Sequence, residues 1–266
     1  MSAFRDRIFE ASEFIRHELK AKSRHGVHSP LVYELMDRTL RLDKRFVDFE
    51  RLESWRRQLM QRNESIHVED YGVGSRVLGQ QQRRISHIAR TALQRPAIAQ
   101  TLFKWVNRFQ CARILELGTC LGVTTAYLAL ANRKSCVYTI EGSDALLHYA
   151  REGWRQLAID HIQSFQGSFQ DELPKVLSMQ SVFDFIYIDG DHRYDRVMAL
   201  WHQLKQHLDT HGWLVLDDIH WSPGMRAAWD EICADPTVTL SMDFFDIGIV
   251  SVDPTRRKEH FNLKLI

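Results

Sequence analysis

The chain has 266 residues, 44% hydrophobic and 26% charged, with a formal net charge of +1. Such a composition suits a globular protein with one large core, or one core and an appended subdomain. It excludes a membrane span, because no apolar run approaches roughly 18 residues. The charged start Met-Ser-Ala-Phe-Arg-Asp-Arg carries no apolar secretory stretch. Cys111, Cys120, Cys136 and Cys233 show no metal-ligand spacing, so free thiols and a cytoplasmic home are expected. The charge is uneven: residues 1–110 carry 21 Lys and Arg against 13 Asp and Glu, and residues 111–266 carry 14 against 21. A basic N-terminal part can recruit nucleic acid or an anionic substrate, although facing an acidic remainder explains it more simply.

Phe4, Ile8, Ala11, Ile15 and Leu19 recur at helical spacing and predict an amphipathic helix over about residues 2–21. Gly26 and Ser29-Pro30 break it, and Ser29 can cap a second helix from Pro30 to about Arg41. Between them, Arg24, His25 and His28 are two histidines and an arginine with no third metal ligand nearby; solvated side chains, or a loop reaching over an active site, are the readings. A third helix is expected from about Lys44 to Asn63, a glycine-marked loop over Val68–Ser75, and a solvated helical face over Gln80–Arg84. Helices over Ile85–Arg90 and Pro96–Phe109 complete this part, the latter with Ile98, Leu102, Trp105, Val106 and Phe109 on one face.

From Ala112 strands alternate with helices, the pattern of a parallel sheet with helices on both faces. Strands are expected at Arg113–Leu117, Cys136–Ile140, Ile162–Phe165, Phe183–Ile188 and Trp213–Leu216. Helices are expected from Val123, from Asp144 as N-cap, from Phe169, from Tyr194 to Leu208, and from Met225; an antiparallel pair, Val238–Phe244 and Gly248–Val252, closes the chain. Polar residues collect at strand ends: Glu116 and Gly118, Glu141, Gly167 and Ser168, Asp189, and Asp217 with Asp218. That edge of an open α/β sheet holds the ligand crevice, and clustered carboxylates there repel unless a cation or a hydroxyl-rich ligand offsets them.

The stretch Glu116-Leu-Gly-Thr-Cys-Leu-Gly122 is a strand, a glycine-bracketed loop and a helix start. It is not a dinucleotide fingerprint, whose middle glycine would fall at Cys120, and it lacks the Gly-Lys-Ser/Thr of a P-loop. One strand over, a carboxylate at Glu141 can accept both hydroxyls of a ribose. Asp189, Asp217 and Asp218 form an all-oxygen set suited to a hard cation.

Glu116–Gly122, Thr139-Ile-Glu141, Gly167-Ser-Phe-Gln-Asp171, Tyr187-Ile-Asp-Gly-Asp-His192 and Leu216-Asp-Asp-Ile-His-Trp221 together resemble the S-adenosylmethionine (SAM) dependent methyltransferases. Within them the likeness is to family 24 and the catechol and caffeoyl-CoA type O-methyltransferases. The resemblance implies a Rossmann-like α/β fold, a mostly parallel seven-stranded sheet with helices on both faces and an N-terminal helical extension. Residues 1–95 would be the extension or cap, and 96–266 the methyltransferase domain. It implies that SAM touches Glu116, Gly118, Thr119, Gly122, Thr124, Glu141, Gly142, Ser143, Gly167, Ser168, Phe169, Gln170 and Asp189. It implies a divalent cation such as Mg²⁺ on Asp189, Asp217 and Asp218. His192 stands where the cation-dependent enzymes carry a lysine base and, with Asp189, is the expected catalytic residue. The function implied is methyl transfer to the hydroxyl of a small-molecule acceptor, with a homodimer compatible. The alternative is a non-catalytic SAM-binding or nucleic-acid-associated protein.

Overall fold

The computed structural model describes residues 2–23, 26–41, 43–69 and 81–265, without the side chains of residues 2–7 and 81. Arg24 and His25 therefore lie outside the described residues, as does most of the loop expected over Val68–Ser75. The class is mixed α/β, with mostly parallel strands flanked by helices. The chain forms two compact units: residues 1–42 with 184–266, and residues 43–183. No helix of the described residues is long and apolar enough to cross a membrane.

The first unit begins with α1 (Ser2–Lys20) and α2 (Pro30–Glu34), whose N-cap position is Ser29. The second helix was expected to run unbroken to Arg41. It widens instead into a π-helical turn at Leu35–Thr39, closed by Leu40 N donating to Leu35 O at 2.8 Å. In α1 the apolar stripe read from the sequence faces outward: Ile8, Ile15 and Leu19 are 55%, 60% and 83% exposed, while Glu13 and His17 are buried.

The second unit holds α3 (Val47–Gln61), a hairpin of β1 (Ser65–Val68) and β2 (Gln81–Arg84), α4 (Ile85–Thr91) and α5 (Pro96–Phe109). The hairpin corrects the helical face expected over Gln80–Arg84. Gln80 lies outside the described residues, and Gln81–Arg84 pairs antiparallel with Ser65–Val68 in the register Ser65↔Arg84. Neighbouring chain, not local propensity, decides this strand: Gln-Gln-Arg-Arg has no β-branched residue. The same unit continues with β3 (Arg113–Leu117), α6 (Val123–Ala131), β4 (Cys136–Glu141), α7 (Asp144–Gln156), β5 (Ile162–Gln166) and α8 (Phe169–Met179). β3, β4 and β5 form a parallel ladder with β4 in the middle. Ser143, not Asp144, is the N-cap of α7: its Oγ accepts from Leu146 N, and Asp144 sits in the first turn, where its charge suits the helix dipole.

An aromatic cluster of Phe46, Phe49, Phe103 and Tyr127 joins α3, α5 and α6, with ring centroids 4.8–6.4 Å apart. The Tyr127 hydroxyl is not stranded there, because it donates to Glu53 Oε1 at 2.7 Å. α3 crosses α7 so closely that a Cβ on Gly153 would stand 1.9 Å from the Trp55 ring, which leaves glycine as the residue that fits.

Returning to the first unit, β6 (Phe183–Ile188, from Asp184 onward), α9 (Tyr194–Leu204), β7 (Leu208–Asp217), α10 (Pro223–Ala234), β8 (Leu240–Asp243), β9 (Ile247–Ser251) and β10 (Glu259–Asn262) follow. Their order is β10-β8-β9-β7-β6, with β9 antiparallel to both β7 and β8. The helix expected to reach Leu208 stops at Leu204, and β7 takes Leu208 as its first residue. β10, parallel to β8, is the strand beyond the expected seven; its polar Glu-His-Phe-Asn sequence gives little strand signal.

Lys104 in α5 is buried, and its pKa is pushed down to about 8, first by burial and then by the charges of Lys44 and Arg45. A folded pKa below the unfolded value penalises the folded state fully below pH 8 and relaxes as pH rises toward 10.5. Lys104→Met is therefore expected to raise stability at pH 7 by up to about 3 kcal/mol and by much less at pH 10. Urea unfolding at the two pH values checks this; an equal gain at both would contradict it.

Candidate functional site

The glycine loop sits at the C-terminal edge of the β3-β4-β5 ladder. β3 is buried along Ile114–Leu117, and the chain then turns with positive φ at Gly118 (103°), Cys120 (50°) and Gly122 (74°). The turn is closed by Gly122 N donating to Thr119 O at 2.8 Å. Gly122 is held from behind: Trp154 Nε1 donates to its carbonyl at 2.9 Å, and a Cβ there would lie 2.6 Å from the Ala150 side chain.

Two carboxylates shape this loop from opposite sides. Glu116 is fully buried, and its Oε2 accepts from Thr125 Oγ1 at 2.5 Å and from Thr139 Oγ1 at 2.7 Å. Thr119 Oγ1 lies 2.6 Å from Thr139 Oγ1 and joins the same network. Glu141, partly exposed at the end of β4, accepts from Cys120 N (2.7 Å, Oε2) and from Ser143 N (2.9 Å, Oε1). One side chain thus fixes both the glycine loop and the entry to α7 through charge-assisted bonds.

The other residues predicted on this side fall along the same edge. Thr124 is in the first turn of α6 and almost buried. The Gly142 carbonyl accepts from Gln166 Nε2 at 3.0 Å. Gly167 has φ 150°, and Ser168 caps α8, its Oγ accepting from Asp171 N. Phe169 is half-buried and Gln170 exposed. Sequence reasoning missed Thr125, Thr139 and Trp154. The signal for the threonines was present: Val123-Thr-Thr-Ala opens an otherwise apolar, wholly buried helix, and a hydroxyl there needs a partner.

In the unit of residues 184–266, Asp189 follows β6, and Tyr187 Oη donates to its Oδ2 at 3.2 Å. His192 Nε2 lies 3.8 Å from Asp189 Oδ1 and 3.9 Å from Asp218 Oδ2, and the ring meets Trp221 edge-on at 5.9 Å. Asp217, the last residue of β7, is buried. Burial, then the charges of Asp189 and Asp218, push the Asp217 carboxyl well above its ordinary pKa. Asp189 is raised too, by burial first, with the His192 charge opposing and Asp218 adding. The structure thus brings Asp189, His192 and Asp218 together and sets Asp217 behind them. His28 is exposed in the segment before α2.

The donor set of Asp189, Asp217 and Asp218 is hard oxygen, the right type for Mg²⁺. Its arrangement is another matter: among the described residues, no three His, Cys, Asp or Glu side chains are grouped so as to hold a metal ion.

Residues 115–219 match the model of a family described as "Methyltransferase domain". No curated protein matches the sequence. Among solved structures, the O-methyltransferase from Bacillus cereus in complex with SAH is similar at TM-score 0.54 and 19% identity, over 83% of this chain and 96% of that one. TomG from Streptomyces achromogenes, an O-methyltransferase involved in tomaymycin synthesis and solved with SAM, is similar at TM-score 0.54 and 15% identity, over 86% and 97%. The SAH-bound methyltransferase PaMTH1 of Podospora anserina gives TM-score 0.52 and 16% identity, over 78% and 97%. At these identities the structural likeness speaks for the fold. The family match adds that residues 115–219 resemble a methyltransferase domain.

The loop geometry makes Gly122 the least replaceable residue of this edge. In Gly122→Ala the new Cβ meets Ala150 and Trp154, and φ of +74° is unfavourable for alanine. The variant is expected to lose about 1–3 kcal/mol of stability and at least tenfold in SAM affinity. Thermal unfolding with and without SAM checks both; unchanged affinity would show that the loop does not hold the ligand.

Proposed function

We propose that the domain transfers the methyl group of SAM to a hydroxyl oxygen of a small-molecule acceptor. The observation that carries the reading is the Glu141 carboxylate at the end of β4, bonded to Cys120 N of the glycine loop and to Ser143 N, a position from which a carboxylate can accept ribose hydroxyls. On this reading Gly118–Gly122 admits the amino-acid end of SAM to the backbone, and Thr124 donates to its carboxylate. Gly142 and Ser143 flank the ribose. Gly167, Ser168, Phe169 and Gln170 hold and cover the adenine. Glu116 and Thr119 act from beneath, by fixing the shape of the loop.

The sulfonium of SAM supplies an activated methyl, so the protein mainly aligns oxygen, carbon and sulfur. On the acceptor side His192 takes the hydroxyl proton as the oxygen–carbon bond forms and the carbon–sulfur bond breaks to give a neutral thioether. Asp189 and Asp218, within 4 Å of its Nε2, steady the imidazolium that results. This reading also counts Asp189 among the SAM contacts and Trp221 as a wall for the acceptor. The organisation we propose is a helical extension, residues 1–95, ahead of a methyltransferase domain, residues 96–266. A divalent cation on Asp189, Asp217 and Asp218 belongs to the same proposal by donor type alone, and no step is routed through one.

Calorimetric titration tests the reading. SAM and SAH are expected to bind at micromolar concentration and NAD not at all, and Glu141→Ala is expected to weaken SAM at least tenfold. Repeating the titration with Mg²⁺ and with a chelator tests the cation. Well-folded protein that binds neither SAM nor SAH would sink the proposal.

A further inference from the structure

The unit of residues 1–42 and 184–266 contains a buried charged network that the proposed reaction does not use. Asp243, at the end of β8, is fully buried; its Oδ2 lies 2.8 Å from His220 Nε2, its Oδ1 lies 3.2 Å from His17 Nε2, and its Oδ1 accepts from Phe245 N at 2.9 Å. The other ring nitrogen of His220 faces Glu13 Oε2 of α1 at 3.2 Å. Arg226 of α10 lies 3.5 Å from Glu13, 3.5 Å from His220 Nδ1 and 3.9 Å from Asp243, and it also pairs with Asp230. Phe245 stacks on His220 at 5.0 Å and 11°. Although burial opposes its charge, the bonds from His17 and His220 hold the Asp243 carboxyl far below the usual range.

His220 belongs to the turn that follows β7. Asp218 there has φ 54°, and the turn is closed by Trp221 N donating to Asp218 O at 3.0 Å. Its residues divide between two sides. Ile219 and His220 are buried; Asp218 and Trp221 are partly exposed and flank His192. The inner anchor of the turn is therefore in contact with α1, and the outer residues form the proposed acceptor side.

The rotation of α1 shows which contact governs it. Burying an isoleucine or leucine side chain is worth about 1.5–3 kcal/mol. Burial alone would turn Ile8, Ile15 and Leu19 inward, yet they stand exposed while Glu13 and His17 are buried. The ion network sets the helix rotation. Buried ion networks of this kind are poor sources of net stability compared with apolar packing, and a defined geometry is what they can supply.

We propose that α1 is a positioning element of the acceptor side: Glu13, acting through His220, fixes the turn of residues 217–221 and so the Asp218 carboxylate and Trp221 ring beside His192. Glu13, His17 and Asp243 are positioning residues, not catalytic ones. The proposal rests on the reading of His192, Asp218 and Trp221 as the acceptor side.

The test uses the full chain labelled with 5-fluorotryptophan, the Trp221 ¹⁹F resonance being assigned with Trp221→Phe among the seven tryptophans. In Glu13→Gln the Trp221 resonance is expected to move or broaden by more than its linewidth, while those of Trp55, Trp105 and Trp154 stay in place. Glu13→Asp, which keeps the charge at shorter reach, is expected to give an intermediate shift and serves if the glutamine variant does not fold. Lys264→Ala removes another ion pair of α1, with Glu18, and is expected to leave Trp221 unmoved. An unchanged Trp221 signal in both Glu13 variants overturns the proposal, as does an equal change in Lys264→Ala. SAH titration of the same variants separates the two readings. Loss of SAH binding in the wild type would count against the proposed function, whereas the Trp221 response reports on α1 alone.

Discussion

Both oxygens of the Glu141 carboxylate are taken by backbone N–H groups, one from the glycine loop at Cys120 and one from Ser143 at the entry to α7. Without that carboxylate the loop would keep its positive-φ residues but lose the bond that ties its tip to β4. Beneath it, Glu116 draws Thr125 of α6 and Thr139 of β4 onto one oxygen. A carboxylate buried in this way is tolerable only when hydroxyls surround it. The hydroxyls come from the helix and the strand that flank the turn, so the same network that partners Glu116 Oε2 fixes the loop's shape. The candidate cofactor edge is thus determined by two acids with different jobs. The buried acid sets the conformation, and the partly exposed one ties the loop to the entry of α7.

Much of this edge was legible in the sequence because it depends on local chemistry. An apolar run that stops at glycine, and a helix that starts after the next glycine, can be read without knowing the neighbours. β3 and β6 fall where their apolar runs place them. What the sequence hid depends on distant partners. Gln81–Arg84 has no strand propensity and becomes β2 through pairing with Ser65–Val68. β10 is polar and forms because β8 offers an edge. The π-helical turn at Leu35–Thr39 leaves no periodicity that distinguishes it from an ordinary helix. Ser143 and Asp144 are both good caps, and only the bond to Leu146 N decides between them.

α1 is the clearest case of a pattern that misleads. Its stripe of Ile8, Ile15 and Leu19 has the spacing of a core-facing surface, yet the polar side is buried. Hydrophobic periodicity reports where a helix has an apolar face; it does not report a competing network such as Glu13 and His17 with His220 and Asp243, whose members lie more than 200 positions away. The acceptor side shows the same limit. The sequence put Asp189 and Asp218 at strand ends and His192 three residues after the first, and proximity in the fold then brought the imidazole within 4 Å of two carboxylates. The burial that separates Asp217 from the more exposed Asp218 had no sequence signal, since residue type alone suggested three equivalent cation ligands.

The central claim is that the Gly118–Gly122 loop and Glu141 hold the cofactor. A crystal structure grown with SAH tests it most directly. The account predicts density for the ribose against Glu141 and for the amino-acid end against the loop, with the Glu141 bonds to Cys120 N and Ser143 N retained. Density for SAH elsewhere on the chain, with Glu141 untouched, would contradict it.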